Sequence, residues 1–352
     1  MIKPLTSLRF FFALCVFFSH LSFLKLDEDY KDLFNNIFSE GFLGVSFFFI
    51  LSGFILALNY REKFRRNTIT LKKFYIARFA RIYPLHFVTM LVSIPALFSS
   101  YKILTYNNFL LQSYIPDQQY FFSYNAPSWS ISDEMFFYAF FPILIIVSYK
   151  FSTALKTILF AGFVFLILAL NNLLPSEKIH YWLYISPLTR IFDFLLGIFL
   201  FDIYSYLKNR NLILNTNTYT ILEIGSLFVL ILFFILRNNF PISYRYSIYY
   251  WLPMCLIILI SAKPFILEKK ETWISKLLSW KWLVYLGEIS FGFYLIHYLA
   301  ITYVSKYNGL MGIHLEGIPL ALVMFSITLI TSIFAFEKIE KPLNKKIKNT
   351  FS

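Results

Sequence analysis

The sequence predicts an all-α integral membrane protein, a bundle of about ten transmembrane helices with both termini cytoplasmic. Three observations carry this expectation. The chain is 58% apolar and only 14% charged, whereas soluble proteins carry about 25% charged residues. Several uninterrupted apolar runs reach the ~20 residues that cross a hydrocarbon core about 30 Å thick. The basic residues are also unevenly shared between successive connecting segments, as the positive-inside rule requires.

Taken in order, the spans are read at 5–26, 42–60, 74–98, 134–150, 155–174, 188–207, 218–237, 248–262, 282–304 and 317–336. Lys25-Leu-Asp-Glu-Asp follows the first run with no small-residue cleavage site, so that run reads as a retained span rather than a signal peptide. With the N-terminus inside, the inner segments are the start of the chain, Arg61–Arg81, Lys150–Lys156, Lys208–Arg210, Lys263–Lys281 and the tail from Lys338. They hold 24 of the 32 Lys and Arg residues, while the first outer loop carries Asp27-Glu-Asp29. No linker, low-complexity stretch or repeat divides the chain. Residues 1–342 are read as one transmembrane domain and 343–352 as a short basic cytoplasmic tail.

Composition also excludes several classes. The net charge of +13 is scattered between hydrophobic spans, which fits topology rather than nucleic-acid binding. The two cysteines, Cys15 and Cys255, lie within apolar runs and read as small core hydrophobes, so neither a disulfide framework nor a metal site is expected.

The polar residues inside the spans are where chemistry can reside, since each is costly in hydrocarbon. Arg9 and His20 are eleven residues apart, on nearly one helical face and roughly 16 Å apart along the axis. That places Arg9 at the cytoplasmic interface and His20 in the outer half of the membrane. Imidazole is the side chain best suited to move a proton near neutral pH, although a lone membrane histidine can also serve only as an interhelical contact. Glycines at 41, 44 and 53 in the second span suit close helix packing. In Lys72-Lys-Phe-Tyr-Ile-Ala-Arg-Phe-Ala-Arg-Ile-Tyr-Pro84, Arg78 and Arg81 share one face at the cytoplasmic end of the third span. Such arginines can simply snorkel, but paired guanidiniums also match phosphate oxygens. In Trp129-Ser-Ile-Ser-Asp-Glu-Met-Phe-Phe-Tyr138, Ser130 and Ser132 suit a helix cap, yet Ser130, Glu134 and Tyr138 also repeat every four residues on one face. That face can bind a sugar or orient His20. Arg190 and Asp193, three apart, can neutralise one another; His297 shares a face with Ser290 and Tyr294.

Together these motifs resemble the acyltransferase-3 family of membrane O-acyltransferases, from Arg9 to about Pro342. The matching features are Arg9 with His20 and the glycine–phenylalanine segment Gly44–Phe54. The Arg78/Arg81 pair, Trp129–Tyr138, Arg190–Gly197, Ser290–His297 and Glu340-Lys-Pro342 follow in the same order. Asp193 stands where the family more often has glutamate, and Ser46 where an acid is frequent. The larger members' extracytoplasmic esterase-like domain is not expected here.

The resemblance implies transfer of an acyl group, usually acetyl, from cytoplasmic acyl-CoA to a carbohydrate hydroxyl of a polysaccharide, lipopolysaccharide, capsule or lipid-linked glycan. It implies no permanently bound cofactor, acetyl-CoA being a substrate, and a bacterial inner membrane with its lipids as surroundings. His20 and Glu134 are then the expected catalytic residues. Arg9, Arg78, Arg81, Ser130, Tyr138, Asp193 and His297 are the expected substrate-binding set. A proton-coupled transporter or a flippase of a lipid-linked glycan is the alternative from another class, since intramembrane His, Glu, Asp and Arg suit it as well.

Overall fold

The computed structural model describes residues 2–263, 265–267, 271–308 and 315–351. Part of the basic segment Lys263–Lys281 (264 and 268–270) lies outside the described residues. All ten segments expected to span are helical: α1 (Lys3–Ser19), α2 (Leu43–Arg65), α3 (Leu71–Leu97), α4 (Trp129–Lys150), α5 (Thr153–Leu173), α6 (Pro187–Asn209), α7 (Thr216–Leu236), α8 (Ile248–Ser261), α9 (Lys281–Asn308) and α10 (Gly317–Ala335). A further helix, α11 (Lys341–Phe351), forms in the segment expected to be a basic tail.

Among the described residues, seven helical stretches are long and apolar enough to cross a bilayer. There are eight if Ser176–Ile185 and Pro187–Asn209, bent by 41°, are counted as one. This is fewer than the expected ten. Helix α1 has 17 residues and α8 has 14, both shorter than the ~20 residues usual for a bilayer span. The need for lipid is plain on α5, whose most apolar window is only 6% buried. Ile158, Phe165 and Leu173 stand exposed along it. A soluble protein does not carry so large a bare apolar face, and the chain is an integral membrane protein.

The residues fall into two compact units. One comprises Met1–Phe10, Val45–Thr68 and Phe140–Glu288. Within it α2 and α6 meet backbone to backbone. A Cβ on Gly53 would lie 2.0 Å from the Phe194 carbonyl oxygen, and one on Gly197 would lie 2.0 Å from that of Ile50. Gly53→Ala is therefore expected to destabilise by about 1–3 kcal/mol, because two helix backbones must separate to admit the methyl group. Gly225→Ala, where nothing lies within 4 Å, should be neutral or slightly stabilising, since alanine is the better helix former. Melting temperatures in detergent check the pair. The same unit contains a minimal parallel ladder, β1 (Ile213–Leu214) with β2 (Ile266–Leu267).

The second unit comprises Phe11–Gly44, Ile69–Ala139 and Ile289–Ser352. Helix α3 starts where the Thr70 hydroxyl accepts from the Lys73 amide, 3.2 Å away. It continues through two prolines, Pro84 and Pro95. The long connection after it is ordered by buried polar groups. The His86 Nε2 donates to the Asn107 carbonyl (2.9 Å), Asn107 donates to Ser123 (2.7 Å), and the Asn125 amide donates to the Leu295 carbonyl (2.8 Å). Near the C-terminus the wide π-helical turn Phe336–Glu340 precedes α11. Its cause is Pro342, which has no amide hydrogen for a regular bond and whose ring crowds the preceding turn.

Candidate active site

The second unit brings His20 together with His297. His20 stands half-buried just past the end of α1; His297 is fully buried on α9. Because a carbonyl oxygen only accepts, the Val16 oxygen at 2.8 Å fixes the His20 proton on Nδ1. The same Nδ1 faces His297 Nε2 at 3.4 Å, so in the neutral pair His297 Nε2 is the acceptor. His20 Nε2 is left as the basic nitrogen. The backbone of His20's own helix thus selects the tautomer, a task often given to a carboxylate.

Aromatic packing keeps one flank of this pair dry. The buried Phe17 ring lies edge-on to His297 at 6.4 Å and also packs against Phe293 and Phe325. The Tyr298 ring contacts His20 at 5.6 Å.

From the histidines a chain of contacts reaches α4. The Tyr294 ring lies 5.7 Å from that of His297. Its hydroxyl and that of Ser130 are hydrogen-bonded at 2.8 Å. Ser130 also donates to the Pro127 carbonyl (3.0 Å), so it lies inside the helix, and the expected cap is replaced by the 3₁₀ turn Ala126–Ser128 that precedes it. Ser132 bonds Leu110 and Ser113 instead. One turn beyond Ser130 comes the half-buried Glu134, and one turn further Tyr138, whose ring carries the Arg78 guanidinium at 5.8 Å. Arg81 stacks over Phe291 of α9 at 5.4 Å and forms an ion pair with the buried Glu340.

Two helices therefore measure the same separation independently. From Ser130 to Tyr138 is eight residues of α4, about 12 Å of rise. From His297 to Phe291 is six residues of α9, about 9 Å. The arginines thus form one level of this unit and the imidazoles another, roughly 9–12 Å along the helices.

Not every expected site residue joins this constellation. Arg9 and Asp193 belong to the other unit. Asp193 is fully buried there, paired with the equally buried Arg190 at 2.9 Å and accepting from the Trp251 indole. Arg190 in turn donates to Ser46 (2.9 Å) and the Tyr246 carbonyl (2.5 Å). The two charges neutralise one another, as their three-residue spacing suggests. Sequence reasoning did not find Glu340 as the partner of Arg81, nor Trp251 as that of Asp193. Each pairing joins residues far apart in the chain, and no local pattern announces it. Tyr294 was legible only as sharing a face with His297. Among the described residues, no group of three His, Cys, Asp or Glu side chains is arranged to hold a metal ion.

The class these features define is a multi-spanning membrane protein with a histidine pair at one level of its helices and an arginine pair at another. The chain matches the acyltransferase-3 family model, an acyltransferase domain, over residues 3–337 and belongs to that family. It is 36% identical over 154 residues to the acyltransferase MdmB of Streptomyces mycarofaciens, covering 40% of this chain and 38% of that one. A Staphylococcus aureus (strain COL) protein provisionally named an O-acetyltransferase is 30% identical over 335 residues, 87% of this chain and 53% of its own. The peptidoglycan O-acetyltransferase OatA of Listeria monocytogenes serovar 1/2a is 27% identical over 330 residues, 87% of this chain and 51% of that one. The chain spans about half the length of these last two relatives. No solved structure matches it significantly.

Proposed function

We propose that this protein is a membrane O-acetyltransferase that moves an acetyl group from acetyl-CoA to a hydroxyl of a cell-surface or lipid-linked carbohydrate. The observation that supports it most is the pairing of a base of fixed tautomer with an arginine level about two helical turns away on two separate helices. In this reading the arginines hold the donor's phosphates on the cytoplasmic side of a bacterial inner membrane, both termini being cytoplasmic. The carbohydrate approaches from the other face.

His20 Nε2 takes the proton of the acceptor hydroxyl as its oxygen attacks the thioester carbonyl. The tetrahedral intermediate collapses, the carbon–sulfur bond breaks, and the coenzyme thiolate takes the proton back from the imidazolium. While His20 is charged, its Nδ1–H keeps both the Val16 carbonyl and the His297 lone pair as acceptors, and each contact strengthens. His297 is thus a positioning residue that favours the transient cation. Glu134, one turn from Ser130, orients the sugar or the histidine pair from α4.

Purified protein incubated with labelled acetyl-CoA and a chitooligosaccharide tests the reading directly, together with mass spectrometry of surface glycans from cells with and without the gene. Label on the oligosaccharide, and acetyl esters lost with the gene, support it; their absence in both measurements overturns it. His297→Ala should lower kcat about tenfold with KM for acetyl-CoA unchanged, since one hydrogen bond to a charged group is worth about 1.5–3 kcal/mol and Val16 retains its share. A matching rise in KM would place His297 in donor binding instead.

A further inference from the structure

A cleft of about 490 Å³ lies between α3 and the C-terminal segment, within the range of about 300–1,000 Å³ that small-molecule sites occupy. Four cations line it, Arg81, Lys341, Lys345 and Lys348, with Glu340 as the sole lining carboxylate. Lys341, Lys345 and Lys348 recur at helical spacing, so α11 turns one basic face to the cleft while Leu343 and Ile347 lie on the opposite side. The helix is held against the arginine-bearing turn of α3. The Asn344 amide donates to the Ala80 carbonyl at 3.2 Å, next to the Arg81–Glu340 ion pair. The charges of both Arg78 and Arg81 act on the Lys348 ammonium. Glu340 balances Arg81 and Glu337 balances Lys341, 2.9 Å away, so the surplus positive charge at the cleft is that of Lys345 and Lys348, which favours an anion there. Apart from Arg81 and Phe336, the lining residues lie beyond residue 337, where the family match ends.

We propose that α11 is the second wall of the donor site, with Lys345 and Lys348 binding, together with Arg81, the phosphate groups at the nucleotide end of acyl-CoA. This rests on the acyl-CoA reading given above and adds to it a phosphate-binding element outside the matched segment. Phosphate is also the chemistry of an anionic lipid headgroup, so the test separates the two sources.

Coenzyme A is titrated calorimetrically into the purified full chain in detergent, and phosphatidylglycerol retained through purification is quantified by mass spectrometry. K345E/K348E should weaken coenzyme A binding about tenfold, the scale of two exposed charge pairs lost and reversed. K345Q/K348Q should weaken it less. K346E, the same charge change on α11 away from the cleft-lining residues, should leave it nearly unchanged and serves as the control for folding and net charge. Equal coenzyme A affinity in the wild type and both double variants overturns the proposal. So does an unchanged affinity accompanied by lost phosphatidylglycerol, which assigns the cleft to a headgroup. A wild type that does not bind coenzyme A at all overturns the donor reading itself, a result distinct from a wild type and variants that bind alike.

Discussion

His20→Ala should abolish acetyl transfer, with kcat falling about 10³-fold, the middle of the range for a positioned general base. The donor's KM should stay the same, because the arginine level lies roughly 9–12 Å along the helices from the imidazole level. The variant should fold normally. It gives up one half-buried ring at a helix end whose bonds run to its own backbone and to His297. Transfer assays, donor titration and a melting curve on one preparation check all three statements. If instead His20 carries the acetyl group, incubation with donor alone should leave an acetyl adduct on the intact protein. Wild-type turnover in His20→Ala would remove the histidine from the chemistry altogether.

Asp193→Ala should destabilise the protein by about 3–5 kcal/mol, the cost of stranding the fully buried Arg190 without its counter-charge. Ser46 and the Tyr246 carbonyl still accept from Arg190, but neither carries a negative charge. Exchanging both partners, Arg190→Met with Asp193→Leu, should recover most of that stability, since removing a buried pair together is often neutral. Melting temperatures of the single and double variants check this. A single variant that melts like the wild type but shows a raised acceptor KM would return Asp193 to substrate binding.

The two histidines show how far the sequence could be read. His20 stands out because an ionisable group in an apolar run needs a reason, and Arg9 eleven residues before it sets the face. His297 stands out only beside Ser290 and Tyr294. That the two rings meet could not be read, since they are 277 positions apart and the contact depends on how α1 and α9 pack. Likewise the Ser130–Glu134–Tyr138 face was legible from its four-residue period. Its ends, Tyr294 at one and Arg78 at the other, were not. The C-terminal residues read as a tail because a short basic stretch has no hydrophobic signal of its own. Their helix is set by anchoring to α3 through Asn344 and Glu340.

The sequence by itself determined what hydrophobicity and local spacing control: a helical membrane protein, its apolar segments, its basic boundaries, and the faces that carry Arg78 with Arg81 and Ser130 with Glu134. Tertiary structure alone decided which faces meet: His20 with His297, Arg81 with Glu340, Asp193 with Trp251. The reason is physical. Burial in lipid and helical periodicity act over a few turns of one chain, whereas a buried polar group takes whichever partner close packing brings within hydrogen-bond reach.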